Sequence, residues 1–379
     1  MLNLSSAARS RIRRAGQTRT SLWRKGRQDS YRSGWRDGYR LGASEHAVRL
    51  GAVMPAVRPL HIMFVATGKG FPYSPLDEAV SVTLRAMVAR LTVTGKETAV
   101  HDAAALRPDL VLVLDGLEFD PARVDEIRAL GLRTAVWFTD DPYYTDITTV
   151  LAPHFDDVFT LELSCVEHYR SLGCQRVHHL PLGVHPAAFR PLNAPQDRRR
   201  DICFVGSAYW NRVDFFDGMA DYLAGKNMWI SGIWWERLRN FRRLAPRIEL
   251  NKWMDPKETA LTYNGAKIVI NLHRSPHDAE FNRNGAGLHA VSPNPRTFEI
   301  SACAALQLTD VRDGIASCYV PGVEIETYAS ADELKAKIEY YLANEEHRQA
   351  IALRGLYRTM RDHTYANRLD RMLSLLFEQ

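Results

Sequence analysis

The chain has 379 residues, 46% of them hydrophobic, and a formal net charge of +5. That length and apolar content make it globular, with enough material for two domains and two cores. No run of 18 apolar residues and no apolar segment behind the first residues is present, so neither a membrane span nor a signal peptide is expected. The five cysteines, Cys165, Cys174, Cys203, Cys303 and Cys318, are dispersed with no C-x-x-C pair. Such a set suits buried free thiols in a reducing compartment better than a disulfide framework or a zinc site, and a cytoplasmic protein is expected.

Charge is unevenly placed. Residues 1–58 carry 13 Lys+Arg against 3 Asp+Glu, which leaves the remainder acidic. Inside this basic arm "YRSGWRDGYRLG" repeats aromatic-Arg-x-Gly three times: Tyr31-Arg32, Trp35-Arg36 and Tyr39-Arg40, closed by Gly34, Gly38 and Gly42. A four-residue period places each residue type on one drifting helical stripe, a glycine groove beside an aromatic ridge. Each glycine costs a helix about 1 kcal/mol relative to alanine, which argues against an isolated helix. Three readings stay open for residues 20–45: a frayed basic tail, a helix for docking or self-association, or a phosphate-contacting surface.

From residue 59 short apolar runs alternate with helical stretches. "LHIMFVAT" (60–67) predicts a strand that ends in the glycine-bearing loop "GKGFPYSP", and a helix is expected over 77–93. "DLVLVLDG" (109–116), "TAVWFTDD" (134–141) and "DVFTLE" (157–162) predict further buried strands, with a helix over 121–130. Continuous Val/Leu/Ile runs spaced by helices signal a parallel sheet covered on both faces. The proline-rich and then charged stretch 177–200 reads as a linker.

A second cycle follows it. "DICFVGSAY" (201–209), "MWISGIWW" (228–235), "AKIVINLH" (266–273) and residues 306–309 predict strands, and the C-terminal stretch from residue 333 is helical at period 3.6. The domains expected are therefore an arm over 1–58, an N-terminal Rossmann-like domain over 59–192, a C-terminal one over 200–365 and a last helix over 366–379. The fold class is α/β, two doubly wound domains facing across a cleft, where ligands bind at the carboxyl ends of the strands.

Motifs fill that cleft. Gly206 and Ser207 form a strand-to-helix turn that lets backbone approach a phosphate. Arg212 and Arg296 offer guanidinium forks suited to a diphosphate. Glu299 stands at the head of a small-residue helix, Ile300 to Ala305, and has two readings. One is a carboxylate accepting from the vicinal hydroxyls of a ribose; the other is an N-terminal helix charge favoured by the dipole. Asp140-Asp141 has three: metal binding, a cleft-facing role as acceptor contact or base, and turn capping. His273 and His277 have i,i+4 spacing, but Pro276 between them forbids the helix a shared zinc would need. His273 reads as a sugar or phosphate contact or as structure. Trp234, Trp235 and Trp253 read as core more readily than as sugar platforms.

In order and spacing, seven segments together resemble the CgeB-like (spore-maturation) glycosyltransferases of GT-B architecture: "VWFTDDPYY", "HHLPLGVHPAAFRP", "ICFVGSAYWNR", "KIVINLHR", "NPRTFEISACAALQLTD", "VPGVEIETYASADEL" and "HTYANR". The resemblance runs from about residue 109 to the C-terminus and implies that Glu299 binds the nucleotide ribose. The chain departs from the broader pattern in three places. Val291 stands where a second glutamate is usual, Ala304 where the small helix ends in glycine, and His185 where an aspartate is common. The catalytic carboxylate is thus not assigned by the resemblance, and retention or inversion stays open.

The expected function is metal-independent transfer of a hexose-like group from a nucleotide-sugar to an unidentified acceptor, with no cofactor beyond that co-substrate. Donor contacts are expected from Gly206, Ser207, Arg212, Asn271, Arg274, Asn294, Arg296 and Glu299. Asp140 and His273 are the catalytic candidates, and Gly68, Gly70 and Asp141 form the acceptor side. The alternatives are a structural or coat-associated protein that keeps the nucleotide fold, and a nucleotide-sugar epimerase.

Overall fold

The computed structural model describes residues 6–51 and 55–378; in its first helix, side chains are described from residue 21 onward, except at 29, 32, 33 and 36. Two six-stranded sheets, parallel at every pairing, form the body. The first contains β1 (Arg58–Val65), β2 (Val88–Thr94), β3 (Leu110–Leu114), β4 (Thr134–Phe138), β5 (Asp157–Thr160) and β6 (Val177–His179), in the order β2-β1-β3-β4-β5-β6. The second contains β7 (Arg200–Val205), β8 (Met228–Gly232), β9 (Ile248–Leu250), β10 (Ala266–Asn271), β11 (Leu306–Asp310) and β12 (Glu326–Tyr328), in the order β12-β11-β10-β7-β8-β9. The strand order reverses at β1 and at β7, and the crevices this opens lie at the carboxyl ends of the strands.

The apolar runs do what a sheet covered on both faces requires. β3 and β4 are buried at every position. Ile62, Leu110, Leu112 and Trp137 face one layer of helices, while Met63, Val111, Val113 and Val136 face the other. The helix expected over 77–93 is two elements: a helix Ser74–Arg85 and then β2. The sheet edge imposes that break, because β2 is half-exposed and its alternating polar positions hide the strand. β6 lies inside the stretch read as linker.

The last helix, Tyr365–Phe377, returns to the N-terminal domain. Leu369, Met372, Leu373 and Leu376 pack with Ile62, Leu110 and Trp137, so this helix completes the first core instead of standing apart. Its entry is fixed beside Gly183, where a β-carbon would lie 2.7 Å from the Tyr365 backbone nitrogen. Val184 donates to His363 O at 3.0 Å and Tyr365 donates back to Val184 O at 3.0 Å. The interdomain connection is therefore stitched twice at one point.

The basic arm is one helix, Ser6–Gly51, which overturns the frayed-tail reading over its described residues. Its final turns are seated on the body, with Ser44 and Ala47 buried. A β-carbon on Gly51 would meet Met360 at 2.8 Å, in the helix Glu345–Asp362. Tertiary packing of one end offsets the glycine cost that argued against a helix. Further out, Asp37 pairs with Arg199 at 2.9 Å, and the Trp35 and Tyr39 rings stack at 5.6 Å. Gly34, Gly38 and Gly42 face open space; the side chains of Arg32 and Arg36 lie outside the described residues. No helix among the described residues is long and apolar enough to cross a membrane.

Candidate active site

A cleft of about 950 Å³ separates the two domains and is walled by both. The C-terminal wall is built on the turn after β7. Gly206 is in contact with two guanidinium groups: a β-carbon there would lie 2.2 Å from Arg296 Nη1 and 3.1 Å from Arg212 Nη1. Gly232, at the end of β8, supports the same turn from behind. A β-carbon on it would come within 2.1 Å of Gly206 O, which also accepts from Trp235 Nε1 at 2.9 Å. The helix that follows begins only at Trp210, whose N–H is taken by Asp278 Oδ2 at 3.3 Å. Side chains therefore dominate the cationic character of this wall.

Three arginines supply it. Arg212 is buried, donates to Leu272 O at 3.0 Å and to Ser207 O at 2.9 Å, and leaves Nη2 without a partner among the described residues. Burial chiefly, and Arg296 next, push its pKa down to about 9. Arg296 donates to Val205 O at 2.9 Å. Arg274 donates to Phe281 O at 2.5 Å and lies between the rings of Tyr143 and Tyr209, 4.5 and 4.4 Å from their centroids. Tyr143 belongs to the opposite domain, so this guanidinium also bridges the two walls. Among the described residues none of the three pairs with a carboxylate.

Glu299 lines the same wall. Its helix runs Pro295–Ala302 with Asn294 as N-cap, the side chain of Asn294 accepting from Thr297 N at 3.1 Å. Glu299 is thus the fifth residue of the helix and not its head, and the expected helix Ile300–Ala305 is displaced toward the N-terminus. The dipole reading falls with that shift, because the effect is confined to the first turn. The carboxylate receives no hydrogen bond among the described residues. Burial raises its pKa to about 7, against the pull of Arg296. The helix ends in Cys303, and Ala304 takes a left-handed backbone, φ 52°, a conformation that explains why glycine is usual there.

Asn271 and Asn294 bond each other, Asn294 Nδ2 donating to Asn271 Oδ1 at 2.9 Å, and so shape the wall. His273 is a correction. Its Nε2 accepts from Asn294 N–H at 3.0 Å, which makes Nδ1 the protonated nitrogen facing Asp310 Oδ1 at 2.5 Å. With both nitrogens occupied it positions the N-cap and has none left for proton transfer.

The N-terminal wall divides the adjacent aspartates. Asp140 faces the cleft and accepts from the Tyr73 hydroxyl at 3.0 Å. Asp141 is buried and saturated, accepting from Thr160 Oγ1 at 2.6 Å, from Tyr169 OH at 2.8 Å and from Thr148 Oγ1 at 3.3 Å. Burial raises its pKa to about 6. Asp141 is structural, which corrects its place on the acceptor side. Gly68 and Gly70 take left-handed backbone, φ 67° and 70°, but do not line the cleft; residues Phe71 to Tyr73 do. Of the tryptophans, Trp235 is core, Trp234 stacks on Phe281 at 4.5 Å, and Trp253 stands half-exposed at the cleft, edge-on to Phe71 at 6.1 Å.

Sequence reasoning missed Glu162. From the loop after β5 its carboxylate accepts the N–H groups of Val291 and Ser292, each at 3.1 Å. It thereby fixes, across the interface, Val291, which stands where the family resemblance leads one to expect a second glutamate. A glutamate closing the apolar run "DVFTLE" was the signal in the sequence. No group of three or more His, Cys, Asp or Glu side chains among the described residues is arranged to hold a metal.

The family described as "Glycosyl transferase-like" matches residues 211–374. The chain is 28% identical to spore protein CgeB of Bacillus subtilis over 309 residues, which covers 81% of this chain and 95% of that protein. Among solved structures it resembles Anabaena HepE in complex with UDP and glucose, at TM-score 0.60 and 9% identity over 84% of this chain and all of that one. A sucrose-phosphate synthase from Thermosynechococcus elongatus matches at TM-score 0.57 and 11% identity, over 85% of this chain and all of that one. These bear out the CgeB-like resemblance, the glycosyltransferase-like character of the C-terminal half and the GT-B fold.

Proposed function

We propose that this CgeB-like chain, a GT-B glycosyltransferase, moves a hexose-like group from a uridine diphosphate sugar to an acceptor held by the N-terminal domain. The observation that carries the reading is three cleft guanidinium groups, Arg212, Arg274 and Arg296, that among the described residues donate only to backbone carbonyls. Burying a cation as fully as Arg212 without a counter-ion is costly unless a ligand brings the opposite charge. A diphosphate on the Gly206–Ser207 turn supplies it, and guanidinium groups bind it bidentately.

Glu299 then accepts from the ribose hydroxyls, which explains a carboxylate left without donors. The same arginines stabilise the charge that gathers on the departing diphosphate, so the reaction proceeds without a metal. The choice of uridine is supported by the HepE complex with UDP, whose fold this chain shares. Asp140 on the opposite wall receives the acceptor proton.

A thermal-shift titration with UDP-glucose, UDP and other nucleotide-sugars tests the reading, on wild type and Glu299→Ala. A ligand at 100 times its Kd adds about 2.7 kcal/mol of stability. A donor-specific rise that Glu299→Ala removes is expected; no rise with any nucleotide-sugar favours the structural alternative. Donor consumed without an acceptor to a sugar-inverted nucleotide would favour epimerisation.

A further inference from the structure

The N-terminal wall carries a closed circuit of polar groups that donor binding does not use. Three loops at the carboxyl ends of β1, β3 and β4 contribute to it. Lys69 Nζ donates to Asp115 Oδ2 at 2.5 Å, and Asp115 Oδ1 accepts from Thr139 Oγ1 at 2.9 Å. Thr139 is the chain neighbour of Asp140, whose Oδ2 accepts from Tyr73 OH at 3.0 Å. The Tyr73 ring closes the circuit beneath the Lys69 ammonium, 4.6 Å from its centroid.

Charge in this circuit is unbalanced. Two carboxylates share one ammonium, and the short contact gives that ammonium to Asp115. Asp140 is left with a phenol as its one donor among the described side chains, and its Oδ1 has none. A carboxylate with one oxygen anchored and the other bare toward a cleft has the geometry of a proton acceptor. The anchor decides where the bare oxygen points.

We propose that Tyr73 is the positioning residue that keeps Asp140 ionised and aimed at the acceptor hydroxyl, with the Lys69–Asp115 pair holding the Tyr73 ring in place. The inference rests on the glycosyl-transfer reading above. In the step it serves, the acceptor oxygen forms its bond to the anomeric carbon as the bond from that carbon to the diphosphate oxygen breaks. The acceptor proton passes to Asp140 Oδ1, and the electron pair leaves with the diphosphate.

Four charged or titratable groups face Asp140: Asp115 from the β3 loop, Lys69 and Tyr73 from the β1 loop, and Arg274 from the other domain. Burial and then Asp115 raise its pKa, while the Tyr73 hydroxyl, Lys69 and Arg274 lower it. Removing the hydroxyl therefore raises the pKa, and activity that needs the ionised form is lost at higher pH than in wild type.

Tyr73→Phe tests this, since it keeps the ring beneath Lys69 and deletes only the donor. Asp140 is titrated in the ligand-free full chain by carboxyl-carbon NMR, its resonance identified by its absence in Asp140→Asn. Hydrolytic release of UDP, with water as the acceptor, from the nucleotide-sugar that binds in the titration above is followed against pH in parallel. A hydrogen bond to a charged group is worth about one pH unit. An upward shift of that size in the Asp140 midpoint, matched by the acid limb of the rate profile, is expected. An unmoved midpoint overturns the positioning role. A moved midpoint with an unmoved acid limb overturns Asp140 as the proton acceptor while leaving donor binding standing. A wild-type chain that binds no nucleotide-sugar in that titration overturns the transfer reading, and this inference with it.

Discussion

Among the described residues, three guanidinium groups on the C-terminal wall of the cleft donate only to backbone carbonyls, whereas on the N-terminal wall the lysine is neutralised by Asp115 and the group left without an ion pair is the Asp140 carboxylate. Both walls hold buried charge, yet they leave opposite signs uncompensated. A fold tolerates such charge where a ligand or a proton completes it. The contrast divides the labour: one wall awaits an anion, the other awaits a proton.

The strongest way to break the contrast is to remove the turn on which the cationic wall is hung. Gly232→Ala drives a β-carbon against the backbone oxygen of Gly206. It is expected to destabilise the chain by about 3 kcal/mol in chemical denaturation and to abolish the thermal shift with UDP-glucose. The circuit around Asp140, on the other sheet, keeps its NMR midpoint.

Arg212→Met removes one cation and leaves the turn. Calorimetry is expected to show UDP affinity falling about 100-fold, or about 2.7 kcal/mol. The ligand-free Tm changes little, because relief of an unpaired buried charge offsets two lost carbonyl bonds. A large fall in ligand-free Tm with unchanged UDP affinity would make Arg212 a structural cation and dissolve the contrast.

Glu299 is the exception that sharpens it, a carboxylate on the cationic wall. With its pKa at about 7 in the ligand-free protein, and ribose hydroxyls donating best to the ionised form, UDP-glucose affinity is expected to rise about tenfold from pH 6 to pH 8. Glu299→Gln flattens that dependence. The linkage sign for the empty fold is opposite. A carboxyl whose folded pKa lies above its ordinary 4.5 lends stability at low pH, and that stability is lost as pH rises from about 4.5 through 7.

Much of this was written in local pattern. The continuous apolar runs of β1, β3, β4, β7 and β10 identify strands buried on both faces, and their alternation with helices fixes a pair of parallel sheets. Strands at the edges escaped: β2, β9 and β12 are half-polar, and a three-residue strand such as β9 or β12 has no period to read. The helix carrying Glu299 was legible in part, since Asn294 before Pro295 is an N-cap followed by proline at the first helical position. Reading Glu299 as its head ignored that signal.

Asp140 and Asp141 show where local pattern stops. They are adjacent, identical and just beyond the end of one strand, and only the fold decides that one keeps an oxygen without a donor while the other is buried against Thr160 and Tyr169. His273 has the look of a proton carrier until Asn294 and Asp310, distant in the chain, take both its nitrogens.

The sequence by itself determined the fold class, the pair of α/β halves and the glycine turn at Gly206, because apolar periodicity and glycine turns act over a few residues. The tertiary structure alone decided which charges lack partners, for a partner is set by contacts between chain segments far apart. It also decided the course of the last helix, where apolar residues find a whole sheet to cover, and the seating of the first, whose glycines are tolerated because one end is packed.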